Sequence, residues 1–341
     1  MEVRIGVLTG GGDCPGLNAV IRAVARRAWA DGHEVIGVRE GWRGMIEHNF
    51  EPLGPQQISG ILPRGGTIIG TSRTNPYKVE GGVDRVRAAF EHLDALVAIG
   101  GEDTLGVASK LHDDFNAHVV GVPKTIDNDL SGTDYTFGFD TAVAICTEAI
   151  DRIHTTAESH NRVMVVEVMG RHAGWIAVHS GIAGGADVIL IPELPVDLDQ
   201  VEAEIRRRHG RGKNFSIVVI SEGCELPGAD DKGEVDQFGH KLLAKRGVGE
   251  RLGDEIETRT GFETRVTVLG HVQRGGSPTA RDRILATRFG LKAAELVEAG
   301  DFGQMTALRG DDVVACSLKE ATAELKTVPP EWYEIARAFF G

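Results

Sequence analysis

The sequence predicts an α/β protein built from two Rossmann-like, three-layer αβα domains with mainly parallel sheets. Three observations carry this expectation. Short β-branched runs alternate with stretches of helical periodicity along most of the chain. Polar, glycine-bearing clusters follow those runs, after Thr9, Ile99, Val122, Val168, Ser221 and Leu269. Ligands in open parallel sheets bind beyond the carboxyl ends of strands, which is where these clusters fall. Finally, the 341 residues exceed what one core usually holds, roughly 250–300.

The elements follow in order. "VRIGVLT" (3–9) reads as a buried strand. In "LNAVIRAVARRAWA" (17–30) the apolar residues Leu17, Val20, Ile21, Val24, Ala25 and Ala28 recur at i, i+3, i+4, i+7, the spacing of an amphipathic helix. "EVIGV" (34–38) is a strand, "VDRVRAAFEHL" a helix, "ALVAIGG" a strand, "TLGVASKLHDD" a helix and "AHVVGVP" a strand. The pattern resumes with strands at "RVMVVEVMG" (162–170), "DVILIPE" (187–193), "FSIVVISEG" (215–223) and "RVTVLGH" (265–271). Residues 224–250 start polar and Gly/Pro-rich and read as an insertion with a loop and a hairpin. The tail ends in a helix started by Pro329–Pro330.

Composition excludes several classes. A formal net charge of −13 argues against a nucleic-acid or anionic-membrane partner, because both require basic surface. An anionic ligand must then be held by a local cluster of arginines and amides. The cysteines, Cys14, Cys146, Cys224 and Cys316, stand far apart without CxxC, which fits neither a disulfide scaffold nor a zinc site and agrees with a reducing, cytoplasmic setting. "MEVRIGVLTGGG" lacks the layout of a signal peptide, and no run of about 20 apolar residues is long enough to span a membrane.

The clusters at the strand ends carry the chemistry. "LTGGGDCPGLN" (8–18) is a strand, a glycine turn and a helix start, a natural anion site, although it matches neither Walker A nor GxGxxG. Glu40 lies near where a ribose-binding carboxylate would fall, which keeps a dinucleotide-dependent oxidoreductase in view. In "AIGGEDTLG" (98–106), Gly100 and Gly101 allow close approach of a ligand, and Glu102 and Asp103 follow at a helix start. Acids there complement the helix dipole, but beside a phosphate they point to Mg²⁺. "PKTIDND" (123–129) crowds Lys124, Asp127 and Asp129 together. Either this is a solvated turn, or Asp127 accepts a proton from an attacking hydroxyl, Lys124 neutralises a phosphoryl group, and Asp129 fixes the loop or the metal shell. Arg162, Arg171, Arg265 and Arg274 stand at strand boundaries of an acidic chain, as a sugar phosphate requires.

Together, "GGDCPGLN", "GGED", "PKTIDND", "MGRHAGW" and "GHVQRGG" resemble the 6-phosphofructokinase family, in order, from Val3 to about Gly310. The resemblance implies Mg²⁺-dependent phosphoryl transfer to the 1-hydroxyl of fructose 6-phosphate, in a cleft between the two domains. It implies that Asp127 is the base, that Arg171 stabilises the transition state, and that Glu102, with Asp129, holds Mg²⁺. Gly11, Gly12, Arg73 and Gly101 would meet the donor phosphates. Thr125, Asp127, Met169, Gly170, Arg171, Glu222, His271 and Arg274 would bind the sugar phosphate. Arg162 and Arg265 would complete a neighbouring subunit's site in a homodimer or homotetramer. By this resemblance, residues 1–138 with about 252–303 form the larger, donor-binding domain, and 139–251 with about 304–341 the smaller, sugar-phosphate domain.

One departure bears on the donor. The family's ATP users carry glycine where this chain has Asp103, whereas its pyrophosphate users carry Asp there and Lys at position 124. A carboxylate in place of a hydrogen projects where the α-phosphate of ATP would lie. Like charges at 4 Å repel by about 1 kcal/mol in water and about 4 kcal/mol at an effective dielectric of 20. The upper value is nearly a thousandfold in affinity. Pyrophosphate has no α-phosphate, so the resemblance favours the reversible pyrophosphate-dependent type over an ATP-dependent kinase. A non-catalytic, sugar-phosphate-binding regulatory subunit is a further alternative, but such a chain would be expected to lose Asp127 or the glycine loops. Arg22, Arg26, Arg211 and Lys213 match a family effector pocket, while His154 and Asp187 depart from it, which implies weak or absent regulation.

Overall fold

The computed structural model describes residues 2–228 and 247–340. The elements are β1 (Arg4–Thr9), α1 (Leu17–Ala30), β2 (Glu34–Val38), α2 (Trp42–Glu47), β3 (Phe50–Pro52), α3 (Pro55–Ile58) and α4 (Gly82–Ala89). Then come β4 (Ala95–Gly100), α5 (Glu102–Phe115), β5 (Val119–Pro123), α6 (Phe139–His160), β6 (Val163–Val168), α7 (Trp175–Ala183), β7 (Val188–Leu190) and α8 (Leu198–Gly210). The rest are β8 (Ser216–Ser221), α9 (Val248–Thr260), β9 (Thr264–Val268), α10 (Ala280–Ala299), β10 (Gln304–Arg309), β11 (Asp312–Ser317), α11 (Leu318–Ala321) and α12 (Pro330–Arg337). The chain divides into two compact units. The first comprises Met1–Ile126, Leu130–Thr141 and Arg274–Leu325, and the second Asp127–Asp129, Ala142–Gln273 and Lys326–Gly341.

The first unit is a seven-stranded sheet of order β11-β10-β5-β4-β1-β2-β3. Its strands are parallel except for the antiparallel pairs β2–β3 and β10–β11. Alternate residues Leu8, Val38, Leu96 and Ala98 join one core cluster with residues of α2, α4 and α5. Because strand side chains alternate between faces, Ile5, Val7, Val97 and Ile99 point the other way, and they are equally buried. Both faces are therefore covered, which explains why β4 reads as an unbroken apolar run. On α1 and α10, Gly290 permits close packing, since a Cβ there would stand 2.7 Å from that of Ala23.

The second unit is a four-stranded parallel sheet of order β7-β8-β6-β9. Val163, Val165, Val218 and Ile220 form its core with Ile205 of α8 and Leu252 and Ile256 of α9. Asp197 caps α8 by accepting the amide protons of Asp199 and Gln200.

The expected α/β architecture with mainly parallel sheets is present; the segment boundaries differ from those expected. Residues 252–273 belong to the second unit, because β9 pairs with β6 (Val163 opposite Thr264). Residues 304–325 belong to the first, because β10 pairs with β5 (Gln304 opposite Val120) and β11 with β10. Apolar pattern identifies a strand but not the strand it pairs with. The hairpin expected within 224–250 falls largely on residues 229–246, outside those described. The terminal helix does begin at Pro330. Among the described residues, no helix is long and apolar enough to cross a membrane.

Candidate active site

In the first unit, β5, β4 and β1 are neighbours and their carboxyl ends are level: Thr9 lies opposite Ile99, and Gly100 opposite Pro123. The Gly10 amide donates to the Ile99 carbonyl and the Lys124 amide to the Gly100 carbonyl, each at 2.9 Å. The glycine turn, the GGED segment and the start of PKTIDND are thereby set side by side. Thr104 locks them. It is 3% exposed, and a Cβ would fall 2.4 Å from its Oγ1 at Gly10 and 2.3 Å from its Cβ at Gly100. Its carbonyl accepts the indole N–H of Trp42 at 3.3 Å. Sequence reasoning passed over Thr104, although it directly follows GGED.

The glycine turn differs in detail from a simple amide cradle. The Gly11 amide donates to the Ser72 carbonyl at 3.1 Å, and the Gly11 carbonyl accepts from Thr71 Oγ1 at 2.7 Å. With the Gly10 amide on Ile99, these donors are bonded within the protein. What Gly11 contributes is space and conformation. Its φ is 77°, and a Cβ there would stand 3.6 Å from Lys124 Nζ. Lys124 is 3% exposed, and its ammonium donates to the Gly12 carbonyl at 2.5 Å. The Arg274 guanidinium donates to the Asp13 carbonyl at 3.4 Å and covers Gly12, where a Cβ would clash with it. Arg274, expected among the sugar-phosphate ligands, thus stands in the first unit with the glycine turn. Arg73 follows Ser72 in the segment tied to Gly11. Two cations, Lys124 and Arg274, thus stand against the glycine turn.

Glu102 and Asp103 occupy the first turn of α5, after Gly101. Cys14, beside the turn, is fully buried, and burial pushes its thiol up to about 12, which leaves it inert as a nucleophile. Glu40, which a dinucleotide fold would offer to a ribose, is paired instead with Arg43.

After Lys124 and Thr125 the chain enters the second unit at Asp127–Asp129. Thr136 Oγ1 holds the Thr125 carbonyl at 2.7 Å. Asn128 is 2% exposed and has φ 52°, so this segment is no solvated turn. Lys326 holds it, its amide donating to the Asp129 carbonyl at 2.8 Å and its ammonium to Asn128 Oδ1 at 3.0 Å.

Other predicted residues gather at the carboxyl ends of β6, β8 and β9. The Glu222 amide donates to the Val168 carbonyl at 2.8 Å, and Ser221 Oγ to the Gly170 carbonyl at 2.6 Å. These bonds tie Glu222 to the Met169–Gly170–Arg171 loop. Gly170 has φ 131°, and a Cβ there would lie 2.6 Å from Ser221 Oγ. Gln273, fully buried and passed over in the sequence, completes the link. Its Oε1 accepts the Met169 amide proton at 3.1 Å, and its Nε2 donates to the Gly270 carbonyl at 3.0 Å. His271 is exposed nearby in sequence. Arg171 and His172 line a pocket of about 490 Å³ with Leu194 and Glu225. Arg162 and Arg265 are not part of this group. They stand at the amino ends of β6 and β9, both paired with Glu263, Arg162 at 2.8 Å. The hydrogen bond from Arg162, then the two guanidinium charges, hold the Glu263 carboxyl below its usual range.

Comparison with known proteins assigns the arrangement. Residues 4–297 match the family model described as phosphofructokinase. This chain belongs to the phosphofructokinase family. It is 63% identical over 345 residues to the pyrophosphate–fructose 6-phosphate 1-phosphotransferase of Amycolatopsis methanolica, covering 99% of this chain and 100% of that one. It is also 54% identical to ATP-dependent 6-phosphofructokinase 3 of Streptomyces coelicolor, covering 97% and 98%. Its backbone superposes on the T-state crystal structure of Pichia pastoris phosphofructokinase with a TM-score of 0.83 at 32% identity. That match covers 99% of this chain but 36% of the longer Pichia chain. As a phosphofructokinase, the chain is a phosphotransferase enzyme.

The donor set suits the Mg²⁺ that phosphofructokinases use. Among the described residues, no three His, Cys, Asp or Glu side chains converge as a metal cage. Mg²⁺ does not require one, since it is commonly held by one or two carboxylates together with substrate phosphates. Glu102, in the first turn of α5 after Gly101, offers a hard oxygen donor of that kind.

Proposed function

We propose that this phosphofructokinase transfers a phosphoryl group from pyrophosphate to the 1-hydroxyl of fructose 6-phosphate, reversibly and with Mg²⁺, giving fructose 1,6-bisphosphate. The observation that carries the donor assignment is the buried ammonium of Lys124, lodged against the glycine turn, in a chain whose Asp103 opens α5. A compact dianionic phosphate end is matched by that cation and by the space over Gly11. Asp103 disfavours the α-phosphate of ATP through like charge. The fully overlapping relative named for the pyrophosphate reaction supports the same reading.

In this mechanism Asp127 accepts the proton of the attacking hydroxyl, and Arg171 spreads the charge on the transferring group. Lys124 neutralises phosphoryl oxygens, with Gly11, Gly12, Arg73 and Gly101 around the donor. Thr125, Met169, Gly170, Glu222, His271 and Arg274 bind the sugar phosphate. Glu102, with Asp129, would hold Mg²⁺, which when bound would offset the negative charge of the phosphates. The protein's contribution is alignment and electrostatic complementarity rather than covalent chemistry. The donor residues all belong to the first unit, whereas the sugar-phosphate residues come from both, Thr125 and Arg274 from the first and the rest from the second. Arg162 and Arg265, held on Glu263 at the opposite end of their sheet from Gly170, complete the site of a second copy in a homodimer or homotetramer.

Effector control is weak in this reading. Asp187 is buried at 4% exposure, paired with Arg208 at 2.7 Å and accepting the Ile217 amide proton at 2.9 Å. His154 is hydrogen bonded to the Gly184 carbonyl at 2.7 Å. Both are engaged by the protein itself. The free thiols agree with a cytoplasmic setting. An ATP-dependent kinase is the second reading, favoured by the 54% identical relative of that name. Purified protein supplied with fructose 6-phosphate, Mg²⁺ and either donor separates the two. We expect kcat/KM to be at least about a hundredfold higher with pyrophosphate, in line with the charge argument. Equal or better turnover with ATP would overturn the donor assignment.

A further inference from the structure

We infer that Lys326, far outside the sequence motifs, is the positioning residue that fixes the catalytic loop around Asp127. The inference rests on the reading of Asp127 as proton acceptor. Asn128, its neighbour, stands at φ 52°, in the left-handed region that asparagine enters more readily than other residues with a side chain because its short polar group can hydrogen bond locally. Hydrogen bonds from elsewhere in the chain hold the segment. Lys326 supplies two, to consecutive residues: Nζ donates to Asn128 Oδ1 at 3.0 Å, and the backbone amide donates to the Asp129 carbonyl at 2.8 Å. Directly beside these, Leu130 forms an isolated antiparallel bridge with Leu325.

Lys326 is itself clamped. Its carbonyl accepts the Trp175 indole N–H at 2.9 Å, and its ammonium lies 5.5 Å from the centre of the Trp175 ring. Two residues on, the Val328 amide donates to Glu193 Oε1 at 2.9 Å. The same carboxylate accepts the Gly174 amide proton at 2.9 and 3.1 Å. Gly174 and Trp175 close the MGRHAGW segment that carries Arg171. One tail residue therefore ties the loop bearing the proton acceptor to the segment bearing the charge-stabilising arginine. Transfer depends on sub-ångström alignment, and a displacement of about 1 Å can lower turnover about a hundredfold. Lys326 acts through Asn128 and Asp129, without needing to touch substrate.

The test begins with Lys326→Met, which keeps the apolar stem and removes the ammonium. We expect kcat to fall between about ten- and a hundredfold, with KM for fructose 6-phosphate within about threefold and the Tm within a few degrees. Lys326→Arg, still a cationic donor, should recover most of the loss. Asn128→Ala should lower kcat comparably, and the double variant should fall no further than the weaker single, since both act through one contact. Parent-like kcat in Lys326→Met overturns the proposal. So does a loss confined to KM or tracking a fall in Tm, a failure of arginine to restore turnover, or multiplicative losses in the double variant. Should Lys326→Met not fold, Lys326→Arg and Asn128→Ala carry the comparison. Asp127→Ser is measured alongside: if it retains turnover, the reading of Asp127 fails. If it is inactive while Lys326→Met is fully active, only the positioning role fails.

Discussion

Lys124 and Gly12 lie 112 residues apart in sequence, and the lysine ammonium donates to the glycine carbonyl at 2.5 Å. This bond joins the tips of β5 and β1 across β4, so one buried cation both fastens the glycine turn and faces the open side of Gly11. Burial penalises a charge unless it is paired or hydrogen bonded, and the Gly12 carbonyl is one such partner. In the proposed reaction the same cation also neutralises a phosphoryl group.

Replacing that cation tests the point directly. Lys124→Met should lower kcat about a hundred- to a thousandfold, the range seen when a preorganised charge-stabilising donor is removed. Folding should survive, because the side chain sits where an apolar stem of similar length fits. Steady-state turnover with pyrophosphate, with circular dichroism as the control, checks both halves. Turnover near that of the parent would show that the ammonium is only structural.

Asp103→Gly addresses donor choice. Removing the carboxylate relieves the repulsion of an α-phosphate, so kcat/KM with ATP should rise, by up to several hundredfold at the stronger estimate. Helix α5 would lose one acid from its first turn, worth about 0.3–1 kcal/mol, and gain a glycine. A small drop in Tm is therefore expected together with the change in specificity. An unchanged ratio of pyrophosphate to ATP activity would remove Asp103 from the donor argument.

Gln273→Leu probes how the second unit holds its substrate loop. The substitution leaves the buried Met169 amide without its 3.1 Å partner, a loss of about 1–3 kcal/mol for an unsatisfied buried donor. Urea unfolding should register that loss, and KM for fructose 6-phosphate should rise as the Met169–Arg171 loop loosens. Stability equal to that of the parent would mean the loop is held without Gln273, by bonds such as those of Ser221 and Glu222.

Much of this was legible in the sequence because the signals are local. Strand β2 coincides with its apolar run at 34–38, and the glycine–acid clusters fall at real strand ends. Strands β10 and β11 form an antiparallel hairpin about Gly310–Asp311, a two-residue turn signal that the sequence reading passed over. Thr104, Gln273 and Lys326 escaped for another reason. Each matters through a partner dozens to hundreds of residues away, and nothing in the local pattern around Lys326 announces Asn128, 198 positions earlier. The amides of Gly10 and Gly11 illustrate the converse. A glycine-rich turn signals an anion site, but only the fold reveals that these donors are already bonded to Ile99 and Ser72.

A final prediction concerns pH. Asp282, 1% exposed, accepts hydrogen bonds from the Thr141 amide at 2.8 Å and from Thr141 Oγ1 at 2.5 Å, at the start of α10. Thr279, the cap of that helix, donates in turn to Asp140. Burial pushes the Asp282 carboxyl from 3.8 up to about 6, against the pull of the Thr141 and Gly138 bonds and reinforced by the charge of Asp140. A pKa raised on folding means that the folded state binds the proton more tightly. The associated stability is fully present below about 3.8 and is lost as pH rises through about 6. The change amounts to about 3 kcal/mol, at 1.36 kcal/mol per pH unit. Asp282→Asn keeps an acceptor for Thr141 but cannot ionise, so it removes this dependence. Urea unfolding at several pH values between 4 and 7 should show the variant gaining on the parent as pH rises, by up to about that amount. The comparison cancels the titration of every other carboxylate, so a difference that stays flat across this range would show that Asp282 is ionised throughout, with its hydrogen bonds outweighing burial.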